Sequence, residues 1–162
     1  MPPRDGTVVM EDARLVFRNF EGREDVYNRE GDMNFSVLLD EEVARMMLED
    51  GWNIKFLKPR EDDEEKVQQA YLQVSVGFKV MPPKIVMITS GGRTILGEDD
   101  VKILDWVDIK LVDLIVRPYR WAVGDKTGIK AYLKSMFITI EEDPLELKYA
   151  QDLPSRSGKS DE

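Results

Sequence analysis

Cysteine and histidine are both absent from the 162 residues of the sequence. The absence of cysteine excludes disulfide bonds, thiolate zinc sites and cysteine nucleophiles. The absence of histidine excludes every mechanism that needs a histidine base. Any chemistry would have to use carboxylate, lysine, tyrosine or serine side chains, and we expect no metal and no other cofactor.

Long apolar runs are also missing. No segment approaches the length of a transmembrane helix, and the first residues, MPPRDGTVV, lack the apolar core of a signal peptide. The sequence therefore predicts a cytoplasmic protein without membrane contact. Its length suits one domain with its own core, over residues 7–150, between a flexible lead-in at 1–6 and a flexible tail at 151–162.

Positive charge is scarce over the whole chain, with 23 Lys and Arg residues against 32 Asp and Glu residues and a net charge of −9. Such an acidic total argues against binding to polyanions through the entire surface. Salt screens charges beyond about 8 Å at physiological ionic strength, so a local basic groove is compatible with this total.

The segment Asp113–Ile140 reverses this charge balance. Two alternating runs flank a short polar connection at residues 124–128, a pattern typical of a β-hairpin. Between Arg117 and Lys134 there are five positive charges and one negative charge, a local balance of +4. Aromatic residues lie among these charges, and this mixture predicts binding to single-stranded nucleic acid, because bases stack on rings and cations neutralise phosphates.

Two other segments combine basic and aromatic residues in the same way. Thr7–Phe20 reads as one strand, with Ala13, Leu15 and Phe17 on one face, and it is expected to pair with a second strand at Met33–Leu39. The strand Trp52–Leu57 is the second segment that combines basic and aromatic residues. Several strands and one short helix favour a mostly-β fold, an OB-like five-stranded barrel with long β-hairpin extensions, whose central strands and loops form the binding face.

The remaining elements follow from local signals. Asp40 is the expected N-cap of a helix that ends at Gly51, with Val43, Met46 and Met47 facing the core. A further strand is expected at Ala70–Val80, a short hairpin at Ile85–Thr89 and Thr94–Leu96, and a solvated acidic loop at Glu61–Glu65. Because aromatic residues on strands usually belong to the core, core positions are expected for Phe35, Trp52, Phe56, Phe78, Trp106 and Phe137.

Two other functions stay open on the residues alone. The net charge would also suit an acidic protein-interaction module that engages a basic partner, as a DNA mimic does. A metal-dependent nuclease would need clustered carboxylates and a lysine, for which Asp105, Asp108, Asp113 and Lys110 are the candidates. Such residues are abundant in an acidic chain, so this signal has little specificity, and the acidic loops lack calcium-binding spacing.

Five segments of the sequence resemble a family of small bacteriophage proteins. They are RNFEG at 18–22, YNREGDMNFSVLLD at 27–40, DGWNIKFLK at 50–58, DLIVRPYRW at 113–121 and GIKAYLKSMFITIEED at 128–143. The family is the phage single-stranded DNA-binding proteins of OB-fold type. The resemblance implies binding and protection of single-stranded DNA during phage replication or recombination, in the cytoplasm of the infected bacterium, without enzymatic activity.

We therefore expect sequence-independent binding of single-stranded DNA, with replication or recombination proteins as further partners and a homodimer as an open alternative. Phosphates are expected to lie along the basic residues, and Tyr119, Trp121 and Tyr132 are expected to stack on bases. The full set of candidate nucleic-acid-binding residues is Arg14, Phe17, Arg18, Phe20, Tyr27, Arg29, Lys55, Lys58, Arg117, Tyr119, Arg120, Trp121, Lys126, Lys130, Tyr132 and Lys134.

Overall fold

The computed structural model of the chain describes residues 6–26, 28–58 and 68–142. Several sequence predictions concern residues outside these ranges. They are the lead-in apart from Gly6, the candidate Tyr27, the acidic loop at Glu61–Glu65 and the tail at 151–162. No helix in the described ranges is long and apolar enough to cross a membrane.

Nine strands and one α-helix form the described part of the chain, together with a short 3-10 turn at Val101–Asp105. The elements, in chain order, are β1 (Val8–Met10), β2 (Leu15–Asn19), β3 (Met33–Leu39), α1 (Glu41–Asp50), β4 (Ile54–Phe56), β5 (Ala70–Val76), β6 (Lys84–Thr89), β7 (Gly92–Leu96), β8 (Ile109–Val123) and β9 (Lys126–Ile140).

All nine strands belong to one mixed sheet. Its main path runs β1-β8-β9-β5-β3-β2, while β4 pairs with β5, β6 pairs with β9, and β7 pairs with β6. The pairings of β9 with β5 and with β6 are parallel, and the others are antiparallel. The predicted mostly-β, OB-like class is confirmed. The predicted number of five strands is wrong, because short strands such as β1 and β4, of three residues each, also join the sheet.

The predicted central hairpin is confirmed and extends further than expected. Its strands β8 and β9 contain 15 residues each and pair in antiparallel register from Ile109 opposite Ile140 to Val123 opposite Lys126. Gly124 makes the turn with a φ of 60°, a conformation that glycine adopts at little cost. Strand β9 is also the junction of the fold, since it pairs with β5 and β6 as well as with β8.

The first hairpin forms as predicted between β2 and β3, but its first strand is interrupted. Asp12 adopts a φ of 51°, and its N–H donates a 2.8 Å hydrogen bond to Oδ1 of Asp113. This irregular backbone at Asp12 separates β1 from β2. A second irregularity follows at Phe17, with a φ of 52°, where the register with β3 shifts between Val16 and Asn19. This bulge ends the simple alternation of faces along the strand.

Helix α1 has the predicted ends and a different buried face. The Asp40 carboxylate accepts a 2.8 Å hydrogen bond from the N–H of Val43, and Gly51 ends the helix in the left-handed conformation with a φ of 102°. Met47 is buried as predicted, but its buried neighbour is Ala44. Val43 and Met46 are exposed, because the narrow buried stripe lies one residue around the helix from the predicted one.

The aromatic core is smaller than the sequence suggests. Phe35 and Trp52 are buried as predicted, and Phe78 packs partly against the core. Phe137 is half-buried, beneath Lys84 and Arg93. The core prediction is wrong for Phe56, which is 45% exposed on the short strand β4, and for Trp106, which is 70% exposed just after the 3-10 turn.

Candidate nucleic-acid interface

A groove of about 810 Å³ crosses the sheet on the face opposite the core. Its floor is formed by β3 and β5, one wall by the middle of β8 and β9, and its rim by the loops at 28–32 and 77–81. Strand β5 shows how the sequence builds it. Leu72, Val74 and Val76 are buried, while the alternate residues Gln73 and Ser75 point away from the core and line the groove.

Tyr132 on β9 is the centre of an aromatic and cationic cluster in this groove. The Arg117 guanidinium lies 4.9 Å from the centroid of its ring, and the Lys130 ammonium lies 5.2 Å from it. The Tyr119 ring meets it edge-on at 5.8 Å. Antiparallel register produces this cluster, because Arg117 is opposite Tyr132 and Tyr119 is opposite Lys130. Both cations favour the ring face by cation–π attraction.

The charge of the groove is opposite to that of the chain. Five cationic side chains line it against two carboxylates, Asp32 and Glu98, which gives a local balance of +3. The chain as a whole has a charge of −9. A concave basic surface of this kind attracts phosphate, and burial of part of its wall strengthens the attraction over that in open water. The five cations are Arg29, Lys55, Lys79, Arg117 and Lys130.

The loop between β2 and β3 holds Arg29 at the rim of the groove. The Asn28 side-chain amide lies 2.8 to 3.0 Å from the carbonyl oxygens of Arg23, Arg29 and Asp32, and its oxygen accepts a 2.8 Å bond from Asn34. Two glycines close the base of the loop, where Gly31 N–H donates to the Gly22 carbonyl. These bonds fix the loop backbone beside the groove.

The floor of the groove, beside the rings of Phe78, Tyr119 and Tyr132, is polar. Lys55 on β4 donates a 3.0 Å hydrogen bond from Nζ to Oε1 of Gln73. Ser75 lies beside Tyr132 in the parallel register of β5 and β9, and Asn34 and Asn53 complete the polar surface. The floor therefore offers hydrogen-bonding groups between surfaces suited to stacking.

The groove brings together six of the predicted residues, which come from three separate segments of the chain. Four of them belong to the central hairpin, as the charge pattern suggested. The six are Arg29, Lys55, Arg117, Tyr119, Lys130 and Tyr132.

Two predicted residues have structural roles. The assignment of Phe20 to the interface is corrected, whereas Arg18 lies outside the groove lining. Phe20 is 0% exposed and stacks on Phe35 with ring centroids 5.1 Å apart, so it belongs to the core. Arg18 is half-buried and donates hydrogen bonds of 2.7 and 2.8 Å to the carbonyl oxygens of Leu104 and Val107. Those bonds attach β2 to the segment that precedes β8.

Two predicted aromatic residues lie outside the groove lining and pack on neighbours. Phe17 is 59% exposed, and its ring meets Tyr71 edge-on at 5.6 Å. Trp121 is half-buried, and its ring covers Gly128 so closely that a Cβ there would lie 2.5 Å from a ring carbon. The same Cβ would lie 2.8 Å from Oδ1 of Asn53, so Trp121 supports the edge of the groove. The other predicted residues outside the lining are exposed, namely Arg14, Lys58, Arg120, Lys126 and Lys134.

The sequence prediction missed the polar floor and one rim of the groove. Gln73 and Ser75 could have been found from the alternation of β5, which separates them from buried aliphatic residues. The rim at Gly77–Met81 combines one phenylalanine ring, one lysine and two exposed apolar side chains. This segment also mixes basic and aromatic residues, but the two prolines that follow it made it read as the end of a strand. Asn34 and Asn53 give no local signal, because only long-range pairing places Asn34 opposite Ser75 of β5 and bonds the Asn53 N–H to a carbonyl oxygen of β9.

Two of the three carboxylates considered for a nuclease serve as acceptors for backbone N–H groups. Asp105 accepts hydrogen bonds of 2.7 and 3.1 Å from the N–H groups of Phe20 and Glu21. Asp113 accepts the bond from Asp12 already described. Within the described ranges, no three Asp or Glu residues are grouped in a way that could hold a metal ion.

Comparison with known proteins gives a family and a fold. The model of the family described as "Putative phage ssDNA-binding domain" matches residues 4–159. A search of curated proteins finds no match. The solved single-stranded DNA-binding protein from bacteriophage Enc34 in complex with ssDNA is 12% identical, with a TM-score of 0.55 over 87% of this chain and 90% of that chain.

A second structure of the single-stranded DNA-binding protein from bacteriophage Enc34 gives the same result. It is 12% identical, with a TM-score of 0.53 over 98% of this chain and 92% of that chain. Likeness at this identity shows a shared fold. The family model spans nearly the whole chain, and on that match the chain belongs to the phage single-stranded DNA-binding family.

Proposed function

We propose that single-stranded DNA lies in the groove around Tyr132, with its phosphates along the basic side chains and its bases on the rings. The observation that carries this proposal is the cluster in which Arg117 and Lys130 flank the Tyr132 ring at 4.9 and 5.2 Å. A ring stacks on any base, and the two cations that lie over this ring in the free protein then turn from its face to the phosphates. Family membership supports the choice of ligand.

This arrangement recognises features that every single-stranded DNA shares. Stacking and phosphate neutralisation depend little on sequence, so affinity is expected to be broad. The protein then covers single strands during phage DNA replication or recombination, in the cytoplasm of the infected bacterium. We propose a binding function without catalysis, which agrees with the use of Asp105 and Asp113 as backbone acceptors.

Salt dependence of binding tests the proposal. If all five groove cations neutralise phosphates, the plot of log K against log salt concentration has a slope of about −3.5, from about −0.7 per phosphate on a single strand. Fluorescence anisotropy with labelled oligo-dT measures this slope. Absence of binding even at low salt would contradict the proposal.

Charge variants locate the interaction. Lys130→Gln is expected to weaken binding and to reduce the slope by about 0.7, since one phosphate contact is lost. Lys102→Gln is the matched control, because Lys102 is exposed on the 3-10 turn and lies outside the groove lining. Equal losses in both variants would indicate general electrostatic attraction in place of a defined groove.

A further inference from the structure

Trp106 is an exposed aromatic residue to which the DNA groove gives no role. Its side chain is 70% exposed just after the 3-10 turn, and Ile103 on that turn is 42% exposed. The Trp106 N–H donates a 3.1 Å hydrogen bond to the Ile103 carbonyl, and residues three apart in such a turn lie one above the other. Ile103 and Trp106 therefore form one apolar surface, the Trp106 patch, outside the groove lining.

Two arginines fix the backbone and the ring of this patch. Arg18 donates its hydrogen bonds of 2.7 and 2.8 Å to the carbonyl oxygens of Leu104 and Val107, on either side of Trp106 in the chain. The Arg23 guanidinium lies 5.8 Å from the centroid of the Trp106 ring, within the range of cation–π attraction. A surface that is already ordered costs a partner less entropy on binding.

The exposed indole offers a partner two kinds of contact. Its ring can bury a large apolar area, and its Nε1–H can donate a hydrogen bond. Within the described residues, no acceptor meets this N–H. Tryptophan is enriched among the side chains that dominate the binding energy of protein interfaces. The Trp106 patch therefore has the chemistry of a protein-binding surface.

The charge around the Trp106 patch is negative, opposite to that of the groove. The segment 99–108 carries four carboxylates against one lysine, a balance of −3. Two basic and two acidic residues contact this segment and leave the balance unchanged, namely Arg18, Arg23, Glu21 and Glu141. Such a surface repels phosphate and attracts cationic side chains, so its charge complements a basic protein segment and not DNA.

We propose that the Trp106 patch binds a basic segment of a partner protein. Apolar side chains of that segment pack on Ile103 and Trp106, while its arginine or lysine side chains meet the surrounding carboxylates. This inference goes beyond the proposed function, because the patch lies outside the groove lining and leaves the groove open to DNA. The same molecule can then hold DNA and the partner together.

Two labelled peptides of equal length and charge test the proposal by fluorescence anisotropy. One alternates arginine with leucine, the other alternates arginine with serine, and the first is expected to bind the full chain more tightly. Trp106→Ala should weaken binding of the arginine–leucine peptide about 5- to 30-fold and change binding of the other peptide little. Trp106→Phe keeps a ring and should lose less. Phe17→Ala is the matched control, because Phe17 is 59% exposed outside the groove lining and should affect neither peptide.

Charge variants separate the patch from the acidic surface as a whole. Asp108→Asn, two residues from Trp106, should weaken binding of the arginine–leucine peptide about 1.5- to 5-fold, whereas Asp125→Asn, exposed in the turn of the central hairpin, should change it little. Equal losses in these variants, equal binding of the two peptides, or full affinity in a folded Trp106→Ala protein would overturn the proposal. Loss of oligo-dT affinity in Trp106→Ala would also overturn it, because the ring would then belong to the DNA interface.

Discussion

Replacement of Tyr132 by alanine should remove the main stacking surface of the groove. The ring is contacted by Arg117, Lys130 and Tyr119, at 4.9, 5.2 and 5.8 Å between the cation or centroid and the ring centroid. Loss of one stacked base costs about 1–3 kcal/mol, which corresponds to a roughly 5- to 140-fold rise in Kd. Tyr132→Phe keeps the ring and should bind within about twofold of wild type.

Phe137 is the matched control on the same strand. Its half-buried ring is also flanked by two cations, with Lys84 at 5.6 Å and Arg93 at 5.9 Å, but it lies outside the groove lining. Phe137→Ala should therefore leave oligo-dT affinity nearly unchanged. Titrations by fluorescence anisotropy, with far-UV circular dichroism to confirm folding, measure both effects.

Two results would refute this reasoning. Equal losses for Tyr132→Ala and Phe137→Ala would mean that the protein does not distinguish the groove from other cation-flanked rings. Full affinity in a folded Tyr132→Ala protein would mean that bases do not stack at this position.

Two further predictions concern residues that support the interface without lining it. Gly128→Ala places a Cβ 2.5 Å from the Trp121 ring and should lower the free energy of unfolding by roughly 1–3 kcal/mol, which corresponds to a Tm lower by about 2–12 °C. Gly91→Ala is the control, because the nearest contact of its Cβ is at 3.7 Å and its Tm should change little. Equal Tm values for the two variants would contradict the close packing of Trp121 on Gly128. Arg18→Met leaves two carbonyl oxygens without their donor and should destabilise the fold by about 1–3 kcal/mol in urea unfolding, with oligo-dT affinity unchanged once folded. Weaker DNA binding at unchanged stability would return Arg18 to the interface.

The central hairpin was predictable because its signals are local. Alternation over Asp113–Ile140 predicts two paired strands, but the pairing of Arg117 with Tyr132 depends on a turn of two residues, which is shorter than the expected connection at 124–128. Lys130 and Tyr132 share a face because they are two residues apart on one strand. These facts place four groove residues without knowledge of the rest of the sheet.

The first hairpin was predicted less well because of one bulge. Strict alternation puts Arg18 and Phe20 on the same face, and the mixture of basic and aromatic residues in this segment predicts that both belong to the interface. The register shift between Val16 and Asn19, with Phe17 at a φ of 52°, ends that alternation. Phe20 then packs in the core and Phe17 is exposed, which no pattern in the sequence indicates.

The polar floor could not be predicted because it depends on contacts between distant strands. Gln73, Lys55 and Tyr132 come together only because β4 and β9 pair one after the other along the same edge of β5, opposite β3. The pairing of β5 with β9 is parallel and joins residues more than 50 positions apart. Local sequence specifies the strands, but long-range packing determines which of them are neighbours.

Ultraviolet cross-linking of oligo-dT to the protein, followed by mass spectrometry of the linked peptides, tests the central claim most directly. The proposed groove predicts that cross-links concentrate on peptides that contain Tyr119 or Tyr132, and that unlabelled oligo-dT competes for them. Cross-links concentrated on Trp106, which is exposed at 70% but outside the groove lining, would contradict it.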